Sequence, residues 1–354
     1  MRKKSQNPPA DADQALEQPI RRSSTGKRVV VIILSLLLLL FLIGYALVSY
    51  TFSLINHPDD SPEAGKDMDQ LMSEDLAEES SSPYETVDPD DVIHNEPDED
   101  VIYGESEEVI NILLIGQDRR EGEGRCRSDA MILCSFDTKN NTLTMASFLR
   151  DLYVKIPGYK DNRLNYAYPV GGMELLDQTM LENFSIHIDA NIEVDFSGFT
   201  EIIDILGGVD IELTEEEVEY LNKNNKTHYT VGVNHMDGEQ ALAYSRLRYI
   251  GTDFGRTDRQ RNVLTALMEK FGDIDLNTAY ELMTKVLPLV TTDIESSEMM
   301  GYITKLLPVI QAGNLESFHV PADDAFTYAT IRHMSVVLPN WTKVNEQLKA
   351  YLAP

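Results

Sequence analysis

The sequence predicts an α/β domain, layered αβα, behind one transmembrane helix. Three observations lead there. Strand and helix patterns alternate from Val109 to the C-terminus, 22 residues from Val29 to Tyr50 carry no charge, and the arginines beyond Val109 fall almost wholly into two short segments. Alternating elements bury their apolar faces as a sheet covered by helices. The uncharged run would be about 33 Å long as a helix, enough to cross a bilayer core.

Residues 1–28 are polar and carry seven Lys or Arg, whereas the first basic residue after Tyr50 is Lys66. The positive-inside rule places this tail in the cytoplasm and everything beyond residue 50 outside, on a single-pass cell-membrane protein. No small-x-small site follows the run, which sets aside a cleaved signal peptide. Residues 51–108 are read as an acidic, disordered extracellular linker, since between 56 and 108 twenty Asp or Glu face only Lys66. The net charge of −29 argues against nucleic acid as a partner.

The folded domain is expected over 109–354. Val109–Gly116 reads as a buried strand, and Asp129–Asp137 and Leu143–Leu149 form a hairpin about the turn Lys139–Asn141. Helices are expected at 172–183 and at 197–206, the latter stopped by Gly207-Gly208. Val209–Leu213 is a short strand. Asp237-Gly-Glu-Gln240 has capping-box spacing and opens a helix to Arg246. Helices follow at 257–271, 276–288 and 296–311, then strands at 316–320 and 335–338 and a helix at 340–351. Cys126 and Cys134 lack zinc-site spacing and are read as free thiols.

Eleven of the twelve arginines beyond Val109 lie between Arg119 and Arg163 or between Arg246 and Arg261. Guanidinium forks fit phosphate oxygens two at a time, so a phosphate or pyrophosphate site is expected, with surface ion pairs as the alternative. Asp118 just past the first strand and Asp129 opening the second suit a hard cation such as Mg²⁺; pairing with Arg119 and Arg127 is the alternative. Arg150-Asp151 follows the third strand, with Asp151 read as a structural partner of Arg150.

These residues carry a resemblance. NILLIGQD (111–118), RSDAMIL (127–133), LRDLYVKIPGY (149–159), DNRLNYAY (161–168), VDFSGFTEIIDILGGVDIEL (194–213), MDGEQALAYSRLRY (236–249) and DFGRTDRQRNVL (253–264) resemble, in order, the segments of the LytR-CpsA-Psr family. The resemblance implies a three-layer αβα domain with a mixed central sheet. It also implies a membrane-anchored phosphotransferase that moves a glycopolymer, such as teichoic acid or capsule, from a polyprenyl-pyrophosphate carrier to peptidoglycan as a phosphodiester. By position, Asp118 and Asp129 match its Mg²⁺-linked aspartates. Arg127, Arg150, Arg246, Arg248 and Arg256 match its pyrophosphate arginines, with Gln260 beside them and Arg163 in its DxxN loop. Asp129 is also a candidate base for the acceptor hydroxyl, and Arg150 and Arg246 are grouped with it as catalytic. The chain departs from the family at Leu149 (usually Pro), Ala130 (often Thr) and Cys126. Two other readings are a polyprenyl-pyrophosphate hydrolase and a non-catalytic scaffold that binds polyprenyl phosphates.

Overall fold

Val109–Gln117, β1, is buried along nearly its whole length, and that determines its place inside the sheet. The computed structural model describes residues 49–58, 68–69, 71–73, 82–96, 101–119, 124–247, 253–272, 282 and 284–352. β1 pairs antiparallel with β2 (Ser128–Asp137) and parallel with β6 (Ala190–Asp195). β3 (Thr142–Phe148) pairs antiparallel with β2 and parallel with β10 (Asn314–Val320). With β9 (Thr291–Thr292) on the far side of β6, the central mixed sheet has six strands in the order β10-β3-β2-β1-β6-β9. The β2–β3 turn is held by the Asp137 carboxylate, whose Oδ1 accepts from the amides of Lys139 and Asn140 at 3.0 and 2.8 Å.

Side chains alternate along a strand, so each sheet strand feeds two faces. One face carries Leu113, Ile115, Met131, Leu133, Ala146 and Phe148 into a large core. Helix α1 (Ala167–Phe184) joins that core, as do the hairpin β11 (Phe326–Ile331)–β12 (Met334–Pro339) and α7 (Trp341–Tyr351). The other face meets α5 (Asp253–Gly272) and α6 (Met299–Ala312). A second core joins α2 (Phe196–Ile205), the ribbon β7 (Val209–Leu213)–β8 (Gly232–Met236), α3 (Glu215–Asn225), α4 (Gly238–Ser245) and α5. A short pair, β4 (Tyr153–Val154) with β5 (Asn162–Arg163), links β3 to α1. The expected capping box at Asp237 is present, and Asp195 caps α2 through the Gly198 amide at 2.8 Å.

The expected transmembrane run lies outside the described residues from 29 to 48, as does the tail 1–28; among the described residues no helix is long and apolar enough to cross a membrane. The helix expected at 276–288 also falls mostly outside them; Leu287–Leu289 is a 3₁₀ turn.

The linker reading of 51–108 needs correction for its described residues. Phe52, Ile55, Met68, Leu71 and Tyr103 are buried, Asn56 bridges to Thr291, Thr86 to Thr330 and Tyr103 to Ile186. The acidic average hid the apolar residues set between the acids, and these insert into the domain while most of the described acids face water.

Candidate functional site

Strand direction assembles the site. β1, β6 and β3 run the same way, so Asp118, Phe196 and Arg150 leave the sheet at one edge; antiparallel β2 enters there at Ser128-Asp129. Ligands of open α/β sheets bind at the carboxyl ends of parallel strands. The β1–β2 register shifts between Gly116 and Gln117, opposite Ala130 and Ser128, so Asp129 is the extra residue of an irregular ladder. Such a bulge re-aims a side chain.

A small cleft opens at this edge, lined by Gly116, Asp129, Ala130, Phe196, Ser245, Arg246, Arg256 and Gln260. Arg246, following α4, lies over the Phe196 ring at 4.4 Å and reaches Asp118 Oδ2 at 3.5 Å. Arg256 and Gln260 lie one helical turn apart on α5 and present a single face. Arg150 Nη1 meets Asp129 Oδ1 at 2.5 Å and its Nε meets Asp151 at 3.4 Å, so Asp151 has the structural role expected of it. Asp118 and Asp129 take Arg246 and Arg150 from distant segments as partners, and Arg119 spans Glu193 and Asp195 at 3.4 Å each.

Other expected residues stand back from the cleft. Arg127 lies over the Tyr166 ring at 5.8 Å. Arg163 is only 6% exposed, sits over the same ring at 5.4 Å and faces Asp151 at 3.7 Å. It therefore supports the Arg150–Asp151 corner. Arg248 lies outside the described residues. Two groups carried no sequence signal. Phe196 backs Arg246, and buried Glu193 accepts from Gln117 and from the Tyr168 hydroxyl. Burial and the Glu193 charge push the Tyr168 phenol up, keeping it a donor. Gln117 in turn accepts from the Cys126 amide at 2.8 Å, which fixes the loop leading to Arg127.

Asp118 and Asp129 offer hard oxygen donors at one edge. Among the described residues no group of three or more His, Cys, Asp or Glu forms a cage. The two aspartates are donors of the kind Mg²⁺ accepts, with phosphate oxygens and water as its other ligands.

Fold and site together define an α/β protein with an arginine-lined cleft at the ends of parallel strands. The LytR_cpsA_psr profile matches residues 70–350, and the chain belongs to that family. It is 34% identical over 220 residues to the polyisoprenyl-teichoic acid–peptidoglycan teichoic acid transferase TagU of Bacillus cereus, covering 61% of this chain and 70% of that one. It superposes on TagT bound to LIIa-WTA with a TM-score of 0.58 at 26% identity, over 69% of this chain and 90% of that one. A LytR-CPS2A-psr family protein with bound octaprenyl pyrophosphate lipid matches with a TM-score of 0.55 at 25% identity, over 69% and 89% of the two chains.

Proposed function

We propose that this chain is a phosphotransferase that moves a glycopolymer from a polyprenyl-pyrophosphate carrier to a peptidoglycan hydroxyl. The observation that carries the reading is the single cleft gathering Arg246, Arg256, Gln260 and Asp129, with Arg150 and Asp118 ion-paired at its rim. The named activity of TagU and the lipid bound by the solved relative support it. The acceptor oxygen bonds to the glycan-proximal phosphorus, the bond from that phosphorus to the bridging oxygen breaks, and polyprenyl phosphate leaves. The guanidinium groups of Arg150, Arg246 and Arg256 neutralise charge on both phosphates, and Gln260 donates to a phosphate oxygen. Asp129 accepts the hydroxyl proton as Arg150 turns from it to the phosphate. Asp118 and Asp129 would hold Mg²⁺, which supplies further charge neutralisation at the phosphates. In this reading residues 29–50 anchor the protein in the cell membrane with the domain outside.

The test is to incubate the full chain in detergent with a labelled polyprenyl-pyrophosphate oligosaccharide, peptidoglycan fragments and Mg²⁺. Label joined to peptidoglycan with release of polyprenyl phosphate is expected. Release with water as the only acceptor would replace transfer by hydrolysis, and binding without release would leave a scaffold.

A further inference from the structure

The chain holds 59 acidic against 30 basic residues, so carboxylates are plentiful partners for any arginine. Among the described arginines Arg125 alone makes no hydrogen bond, ion pair or ring contact. Its Nε is buried and unpartnered. A buried donor left unpaired costs about 1–3 kcal/mol, more when charged, so such a group calls for an explanation.

The position of Arg125 supplies one. Its Nη1 lies against Gly172, where a Cβ would come within 2.1 Å of it. Gly172 interrupts α1 with φ 68°, ψ −154°, a conformation that glycine adopts readily. The buried acid Glu193, which like Arg125 acts on Tyr168, is engaged by Gln117, Tyr168 and Arg119. The charge of Arg125 is felt at Tyr168 only through space. Arg125 precedes Arg127 by two residues, at most about 7 Å along the chain. Arg127 lies over Tyr166 and Arg125 against Gly172, so both guanidinium groups meet the chain around the start of α1.

We propose that Arg125 is a second anion subsite of this site, binding a phosphate or carboxylate oxygen of the glycan next to the carrier pyrophosphate. The inference rests on the proposed carrier reaction. It assigns to Arg125 a choice among donors: charged glycans are favoured over neutral ones. A charge-assisted hydrogen bond to a partly buried guanidinium corresponds to a preference of roughly ten- to hundredfold.

The experiment measures Kd by titration calorimetry on the full chain in detergent. Three probes share one polyprenyl-pyrophosphoryl disaccharide: unmodified, with one glycerol phosphate, and with one uronic acid. The wild type is expected to bind at least one charged probe at least tenfold more tightly than the neutral one. Arg125→Ala should abolish that preference while leaving the neutral probe's Kd unchanged, and Arg125→Lys should keep part of it. Which charged probe is preferred tells phosphate from carboxylate. Equal affinities in the wild type, a preference surviving in Arg125→Ala, or equal weakening of all three probes would each overturn the subsite. A wild type that binds the neutral probe without charge preference refutes only the subsite, whereas one that binds no probe refutes the carrier reading itself.

Discussion

The pair Glu217–Arg259 ties α3 to α5 and so sets where Arg256 and Gln260 stand. Arg259 Nε meets Glu217 Oε1 at 2.7 Å with side chains only 7% and 9% exposed, and Arg259 Nη1 donates to the Leu247 carbonyl at 3.1 Å. Glu217 also closes the capping box of α3, its Oε2 accepting from the Thr214 amide at 3.0 Å. Glu217→Ala removes both. Stranding one member of a buried pair costs about 3–5 kcal/mol, and losing a cap about 1 kcal/mol. The expected loss is roughly 4–6 kcal/mol, a large part of the total for a domain. Urea unfolding followed by circular dichroism reads it as a fall in midpoint. Replacing both residues by Met is expected to recover most of the deficit, because no charge is then left alone. A loss below about 1 kcal/mol for Glu217→Ala, or a double variant no more stable than the single one, would refute the reasoning.

Further outcomes are expected. Burial pushes the Asp177 carboxyl up to about 7 from its ordinary 3.8, against a lowering contribution from the Asn191 amide at 2.9 Å. The protonated form therefore suits the fold. Its contribution is whole below about pH 4 and is lost as pH rises to about 7, with a slope of up to ~1.4 kcal/mol per pH unit. Asp177→Asn should remove that part of the slope in thermal melts from pH 4 to 8, and an unchanged profile would count against it. Burial pushes the Cys134 thiol up to about 12, so iodoacetamide should label Cys126 in the native protein and Cys134 only after unfolding; native labelling of Cys134 would contradict this. Arg150→Ala and Arg246→Ala should each lower kcat/KM for glycan transfer by roughly 10²–10³-fold. Wild-type rates in either would remove that residue from the chemistry.

The sequence showed β1, β2 and β3 because their apolar runs are long and end in turn residues. It did not show β6. Ala190–Asp195 alternates apolar residues with Asn191, Glu193 and Asp195, a pattern that reads as half solvated. Here Asn191 and Glu193 are buried, Asn191 binding Asp177 and Asp293 and Glu193 binding Gln117 and Tyr168. Polar residues used inside the fold defeat periodicity. The same limit hid β8 and α3, whose outward faces dominate their composition. Charge clustering located the two halves of the site. Their pairing was not legible, because Asp118 finds Arg246 across 128 residues, a separation at which sequence neighbours give no guidance.

The parallel pairing of β3 with β10 also has a consequence in time. Thr142 is registered opposite Asn314, and Leu149 donates its amide to the Val320 carbonyl, so the corner that carries Arg150 is completed by chain made roughly 170 residues later. Pairings between such distant segments form slowly and late. A ribosome must pass Val320 before Arg150 can be seated. A nascent chain therefore stays without a finished cleft until β10 has emerged, and shortening it before β10 undoes the Arg150 corner without touching any cleft residue.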